Sequence, residues 1–115
     1  MGAAKARRLR KGREFDTAYR EGTVVSGPFF VLRHRANGLA GARWGFAVGK
    51  KMAPSSVVRN QLRRRLRAAS RSVIVEGADI VLTTRPSALK APFANLEREL
   101  SRMVVRAGIG KVGDR

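Results

Sequence analysis

Hydrophobic and polar positions along the chain follow two different periods, and each change of period marks a predicted element. From 13 to 21, apolar residues recur at helical spacing, so that Phe15 and Tyr19 fall on one face. Gly22 follows directly and is a typical helix-ending residue. The first element is therefore predicted to be a short amphipathic helix.

Three later runs are rich in β-branched and aromatic residues and predict strands. They cover 29–35, 43–48 and 80–84. The first two are separated by a short segment containing Asn37-Gly38, a pair typical of turns. These two strands are therefore predicted to form a hairpin.

Two longer helical patterns complete the chain. The first runs from about 56 to 73 after helix-capping serines, and the second begins near Pro92, a favourable first-turn residue. The predicted apolar stripe of the first comprises Val58, Leu62, Leu66, Ala69 and Val73. The second is expected to bury Phe93, Leu96, Leu100, Met103 and Ala107.

The order of these elements, α-β-β-α-β-α, predicts an α/β (α+β) sandwich with one central sheet. A chain of 115 residues is the length of one domain. We expect 13–115 to form that domain and 1–12 to be a mobile basic arm, with cationic residues Arg7, Arg8, Arg10 and Lys11. Further core positions are expected at Phe29, Phe30 and Trp44.

The net charge of the chain indicates a class of binding partner. Lys and Arg number 25 against 8 Asp and Glu, giving a formal net charge of +17 and a pI near 12.0. A compact domain with this charge repels itself and favours a polyanionic partner. A membrane surface is one such partner, but it favours a free amphipathic helix carrying Trp, and Trp44 lies in a predicted strand. Nucleic acid is therefore the expected partner.

The central helix carries the densest positive charge. No acidic residue occurs between Glu21 and Glu76, so these cations have no local counter-charge. A solvated charged face is the alternative, but such faces normally alternate in sign. The predicted phosphate-binding residues on and before this helix are Lys50, Lys51, Arg59, Asn60, Arg63, Arg64, Arg67 and Arg71.

Residues for independent catalysis are scarce. Cys is absent, His34 is the single histidine, and the acidic residues are scattered, so neither a metal site nor a catalytic set is predicted. The glycines do not form a nucleotide-binding loop, and no small-molecule substrate is expected. No apolar run is long enough to cross a bilayer, and a cytoplasmic location without membrane attachment is expected.

Several segments together resemble one family. RNQLRRRLR at 59–67, preceded by GFAVGKK at 45–51, resembles the signature helix of the bacterial ribonuclease P protein component. LRKGREFDTAYREG at 9–22 resembles the opening helix of that family. FFVL at 29–32 and IVLTTRP at 80–86 resemble its first long strand and its late strand. The resemblance extends from about Leu9 to Leu100, although Gln61 stands where the signature has its second Arg.

The resemblance implies a specific function. Proteins of this family bind the catalytic RNA of ribonuclease P, which removes the 5′ leader from precursor tRNA. Magnesium is held mainly by that RNA, and the protein itself supplies no catalytic residue and binds no cofactor. The family fold contains a left-handed βαβ crossover through the signature helix. A cleft between the first helix and the sheet contacts the leader, which assigns Phe15, Tyr19, Arg33 and Arg85 to leader binding.

Two alternatives stay open from the sequence. A ribosomal or other structural RNA-binding protein shares the size, the charge and the basic arm. The second alternative is that Phe15 and Tyr19 are ordinary core residues, because their i, i+4 spacing on a helix is also typical of a packed core.

Overall fold

The computed structural model describes residues 7–10 and 12–113, which form three helices and seven strands. The helices are α1 Arg13–Glu21, α2 Ser56–Ser70 and α3 Phe93–Ala107, with a single 3₁₀ turn at Pro86–Leu89. The strands are β1 Arg7–Arg8, β2 Thr23–Ser26, β3 Phe30–Ala36, β4 Arg43–Ala47, β5 Val73–Val75, β6 Ala78–Thr84 and β7 Gly110–Val112. The mixed α/β class with one central sheet is confirmed.

The central sheet has five strands in the order β1-β4-β6-β3-β2. Strand β6 lies between β3 and β4, so the predicted hairpin of these two strands is wrong. Five of the seven β6 residues are buried, so the most buried strand occupies the middle of the sheet. Strands β4 and β6 are parallel, and the chain between them passes through α2. Two parallel strands can be joined only by a crossover connection. The left-handedness of this crossover remains a prediction.

Helices pack on both faces of this sheet. Val81 of β6 packs with Ala18 of α1 on one face, in a small cluster that includes Leu9. The neighbouring Ile80 and Leu82 belong to the main core on the other face, as successive strand residues point to opposite sides. The main core also contains the buried residues Phe30, Trp44, Leu62, Leu66, Leu96, Leu100 and Met103.

Three details of the helices differ from the sequence pattern. Helix α2 ends at Ser70, and Val73 belongs to β5, which pairs with β7 in a separate two-stranded sheet. Val58 is exposed in the first turn of α2, so it does not belong to the buried stripe. The third error concerns Phe93, which is exposed rather than part of the core. Periodicity indicates which residues share a face but not how far a neighbouring element covers it.

Helix α1 has the predicted bounds. The glycine at position 22 is required by close backbone contacts and not by a left-handed backbone conformation. Gly22 has an ordinary extended backbone with φ of −73°. A Cβ there would lie 2.5 Å from the Ala18 carbonyl oxygen and 3.1 Å from the His34 backbone. The absent side chain therefore lets α1 end directly against β3.

The predicted basic arm is partly built into the sheet. Arg7 and Arg8 pair in parallel with Arg43 and Trp44 of β4, and the Leu9 amide donates to the Trp44 carbonyl at 2.8 Å. Leu9 is buried. Residues 7–10 are therefore not a free arm, because one leucine anchors them; residues 1–6 and Lys11 lie outside the described residues.

A charged network joins α1 to the sheet. Arg43 donates from Nε and Nη2 to the two carboxylate oxygens of Asp79 at 2.7 and 2.8 Å. Its Nη1 also lies 2.8 Å from Oε2 of Glu14, and the Asn37 amide donates to Asp79 at 3.0 Å. The two carboxylates raise the pKa of Arg43 above its ordinary value, with the hydrogen bond to Asp79 the largest cause. Adjacent strands and the start of α1 thus share one cation.

Among the residues that the structure describes, no helix has both the length and the apolar content needed to span a bilayer.

Candidate nucleic-acid interface

A cleft of about 780 Å³ opens between α1, the end of β4 and α2. It begins where β1 stops pairing with β4, so the last part of β4 forms its floor. One wall is aromatic and comes from α1, and the other is cationic and comes from α2. Residues lining the cleft are Arg8, Leu9, Gly12, Phe15, Asp16, Tyr19, Trp44, Gly45, Phe46, Ala47, Val48, Gly49, Arg63, Arg67 and Thr83.

Phe15 and Tyr19 form the aromatic wall. Their rings are nearly parallel, at an angle of 13° with centroids 6.4 Å apart. Tyr19 is 41% exposed, whereas Phe15 is half-buried against the small core cluster. The open question from the sequence is thereby resolved in part: Phe15 serves core and cleft, and Tyr19 offers its surface to the cleft.

Gly45 on the floor sets the position of Phe15. A Cβ at residue 45 would lie 2.9 Å from Cε2 of Phe15 and 3.2 Å from Cδ1 of Leu9. The contact at 2.9 Å would force the Phe15 ring to shift, and an aromatic ring held on a helix has little freedom to move, whereas the Leu9 methyl would have to give by a few tenths of an ångström. The glycine therefore lets Phe15 lie directly on β4, and sequence reasoning missed it.

Arg33 lies at the margin of the aromatic wall rather than among the lining residues. Its guanidinium carbon is 4.2 Å from the centroid of the Tyr19 ring, the geometry of a cation–π contact. Nη1 also donates to Oγ1 of Thr83 at 3.3 Å, which fixes the side chain from β6. The arginine thus supports Tyr19 from the side and keeps positive charge beside it.

Arg63 and Arg67 form the cationic wall. The guanidinium carbon of Arg67 lies 5.3 Å from the Phe46 ring centroid. Burial, followed by repulsion from Arg8, Arg71 and Arg63, lowers the pKa of Arg67 from its ordinary value. The Arg63 Nη1 donates to Oδ1 of Asn60 at 3.1 Å, a neutral acceptor that leaves its charge uncompensated. Guanidinium groups crowded in this way favour binding of an anion between them.

The side chain of Arg59 on the signature helix is hydrogen-bonded within the protein. Its Nη1 donates to the carbonyl oxygens of Ala53 and Pro54 at 2.7 and 2.8 Å. These bonds hold the loop that leads into α2, where Ser55 caps the helix by accepting from the Val58 amide. Arg59 therefore has a structural task in addition to its predicted contact with RNA.

The remaining predicted residues spread over the surface around α2. Exposed residues there are Lys50, Lys51, Asn60, Arg64 and Arg71, which lie in the turn before α2, on its outward face or at its end. Gln61 lies on the opposite border, where it lines a different groove. The helix thus offers basic residues to both sides, rather than along a single line.

Arg85, which was predicted to bind the leader, lies away from the cleft, and the residues of the predicted basic arm lie in two places. The Arg85 Nε donates to the Gly27 carbonyl at 2.8 Å, in the loop between β2 and β3, and Arg85 is not among the cleft residues. Of the predicted arm residues, Arg8 lines the cleft, while Arg7 and Arg10 lie with Glu14 and Arg43 around a neighbouring hollow. The signal that sequence reasoning passed over is Leu9, a lone apolar residue in a basic run.

Acidic and imidazole groups do not converge at the cleft. No cluster of three or more His, Cys, Asp or Glu that could hold a metal ion occurs within 7–10 and 12–113. Asp16 is the carboxylate on the cleft wall, and Glu14 and Asp79 are bound to Arg43. His34 is half-buried, and burial lowers its pKa.

Comparison with known proteins agrees with this geometry. A family model described as Ribonuclease P matches residues 3–108. The ribonuclease P protein component of Brucella suis is 38% identical over 92% of this chain and 83% of its own length. That of Rippkaea orientalis is 31% identical, with coverage of 95% and 92%.

Solved structures show the same fold. The RNase P protein of Thermotoga maritima is similar with a TM-score of 0.78 at 30% identity, over 86% of this chain and 96% of that one. The Staphylococcus aureus RNase P protein has the same TM-score at 24% identity, over 91% and 98% of the two chains. The signature helix, the cleft and these comparisons together place the chain in the ribonuclease P protein family.

Proposed function

We propose that this chain is the protein subunit of a ribonuclease P, which binds the catalytic RNA and the 5′ leader of precursor tRNA and assists removal of that leader. The observation that carries the proposal is the cleft, in which an exposed aromatic wall faces a group of uncompensated guanidiniums. Single-stranded RNA requires this pair of surfaces, because bases stack on aromatic rings while phosphates bind arginine. A ribosomal or other structural RNA-binding role finds no support in the comparisons.

The leader is the RNA segment that fits the cleft. A single strand can place a base on Tyr19 and Phe15 and its backbone toward Arg63 and Arg67 on the opposite wall. Stacking is tolerant of sequence, since every base has a π face. A binding site of this kind suits leaders that differ from one precursor tRNA to another.

The catalytic RNA fits the outward surface of the same helix. Asn60, Arg64 and Arg71 are exposed there, with Lys50 and Lys51 in the preceding turn. The charges follow no base-reading pattern and suit contact with phosphates. In this arrangement α2 lies between the two RNAs, with Arg63 and Arg67 on its leader side.

The protein's own part in the reaction is binding and positioning. Acids and bases for hydrolysis must lie together near the scissile phosphate. The described carboxylates are instead dispersed, and Asp79 and Glu14 neutralise Arg43. We therefore assign the chemistry to the RNA partner, which would hold the magnesium ions. The proposed location of the complex is the cytoplasm.

Reconstitution tests this function. The full-length protein is combined with the catalytic RNA of a bacterial ribonuclease P, and cleavage of precursor tRNA is measured at low magnesium. Activity should require the RNA and increase with the protein, while the protein alone should cleave nothing. Cleavage by RNA-free protein, or no effect of the protein on the RNA, would contradict the proposal.

A second measurement tests the cleft. Tyr19→Leu should lower affinity for leader-bearing precursor tRNA by about 5- to 150-fold per lost stacking contact, but not affinity for mature tRNA. Phe29→Leu is the control, since Phe29 packs at the edge of the main core instead of in the cleft. Equal preference for the leader in all three proteins would exclude Tyr19 from its binding.

A further inference from the structure

A second groove lies on the other border of α2, with a volume of about 450 Å³. It is lined by Gln61, Arg64, Arg65, Ala68 and Phe93. None of these residues lines the first cleft, whose α2 residues are Arg63 and Arg67. Helix α2 therefore separates two binding surfaces, and the second includes the start of α3.

Phe93 is the unusual member of this groove. It is 36% exposed, although the other large apolar residues of α3 that follow at helical spacing, Leu96 and Leu100, are fully buried. An exposed aromatic side chain in a groove is typical of a surface that binds a partner. Its ring edges a groove rather than standing alone on the surface.

The two arginines beside Phe93 differ in whether their guanidinium groups are already hydrogen-bonded. The Arg65 Nη2 donates to the Ala91 carbonyl, which fixes this guanidinium against the segment before α3. Arg64 is exposed and forms no hydrogen bond or ion pair with any residue in the described part of the chain. No carboxylate lines the groove. One arginine thus shapes the wall, and the other is available to an anion.

We propose that this groove binds an unpaired nucleotide of the catalytic RNA, with the base stacked on Phe93 and the phosphate on Arg64. An aromatic ring next to a free guanidinium matches the two halves of a nucleotide. A second copy of the chain is disfavoured, because it would bring another +17 charge against this surface. The inference rests on the proposed function, since it names a contact with the same catalytic RNA.

The leader is not the occupant, because the cleft for it opens on the opposite border of the helix. Phosphates along the exposed face of α2 would instead lead the catalytic RNA from Arg71 and Asn60 toward Arg64. The groove then anchors this RNA beyond the helix by a contact that charge alone does not provide. Such a contact depends on stacking and therefore persists at salt concentrations that weaken the phosphate contacts.

The test compares four variants of the full-length protein, each binding the catalytic RNA of a bacterial ribonuclease P at several salt concentrations. Phe93→Leu, which keeps the apolar volume but removes the ring, should weaken binding about 5- to 150-fold. Phe93→Tyr, which keeps the ring, should bind like the wild type. Arg64→Gln should reduce the slope of log affinity against log salt by about 0.7–0.9, and Arg98→Gln, an exposed control on α3, should not.

Each outcome bears on a separate claim. Unchanged affinity of Phe93→Leu together with an unchanged salt slope of Arg64→Gln would overturn the groove assignment while leaving the cleft and the subunit role intact. Failure of the wild-type protein to bind the RNA would instead refute the proposed function. If Phe93→Leu binds RNA normally but loses affinity for a polyglutamate peptide, the occupant is an acidic protein segment and the RNA assignment is wrong. Thermal unfolding of each variant confirms that the comparison is between folded proteins.

Discussion

Removing the shared cation of the sheet, by Arg43→Ala, should destabilise the protein strongly. The change leaves Asp79 in its site with 5% of its side chain exposed, and it removes two hydrogen bonds of 2.7 and 2.8 Å. Loss of one partner of a buried ion pair costs about 3–5 kcal/mol, because the other charge stays desolvated. Asp79 keeps the Asn37 amide at 3.0 Å, so we expect the lower end, about 3 kcal/mol.

Urea and thermal unfolding measure this loss. A destabilisation of about 3 kcal/mol corresponds to a fall in Tm of about 10–15 °C for a domain of this size. Arg98→Ala is the control, since Arg98 is exposed on α3 and belongs to none of the ion pairs in the described part of the chain, so its loss should cost about 0–0.5 kcal/mol. The double variant Arg43→Ala/Asp79→Ala should lose less stability than the sum of the single variants, because the removed groups are direct partners.

An equal and small effect of Arg43→Ala and Arg98→Ala would refute the reasoning, as would strict additivity in the double variant. A further consequence follows from Glu14, which loses its partner at 2.8 Å in the same variant. Because Glu14 belongs to α1, the aromatic wall of the cleft loses its ionic link to β4 and keeps only the packing of Phe15 on Gly45. Protein that remains folded should therefore also discriminate less between leader-bearing and mature tRNA.

Two other predictions concern the two sides of the cleft. Gly45→Ala places a methyl group 2.9 Å from the Phe15 ring and should reduce binding of leader-bearing tRNA, with binding of mature tRNA by the same variant as the control. An unchanged preference for the leader would exclude a role for Gly45 in placing the ring. Arg63→Gln combined with Arg67→Gln should reduce the salt slope for precursor-tRNA binding by roughly 0.7–0.9 per lost phosphate contact, whereas Arg98→Gln should leave it unchanged. A slope that does not respond to the double substitution would remove the cationic wall from the interface.

The sequence predicts the elements that carry a strong period and misses those that do not. Helix α1 follows from its helical spacing, and strands β3 and β6 follow from the runs of β-branched and aromatic residues at 29–35 and 80–84. Strands β5 and β7 have three residues each, too few to show a period. The false hairpin arises because pairing partners are decided by tertiary packing, and the buried β6 displaces the neighbour along the chain.

The candidate site divides in a similar way. Phe15, Tyr19 and the arginines of α2 were predicted because residue type and helical spacing are visible in the sequence. Gly45 acts through a side chain it lacks, and no periodicity reveals that. The different tasks of Arg59 and Arg85, which hold loop carbonyls, depend on where distant backbone segments arrive.

Trp44 gives the cleft a built-in optical signal. It is the single tryptophan of the sequence, and its ring centroid lies 6.3 Å from that of Phe46, another residue that lines the cleft. Trp44 is largely shielded from bulk water in the main core, at 6% exposure, yet the residue borders the space that a nucleotide would enter. Its emission therefore reports on occupancy of this one site, so that binding can be titrated in unlabelled, unmodified protein.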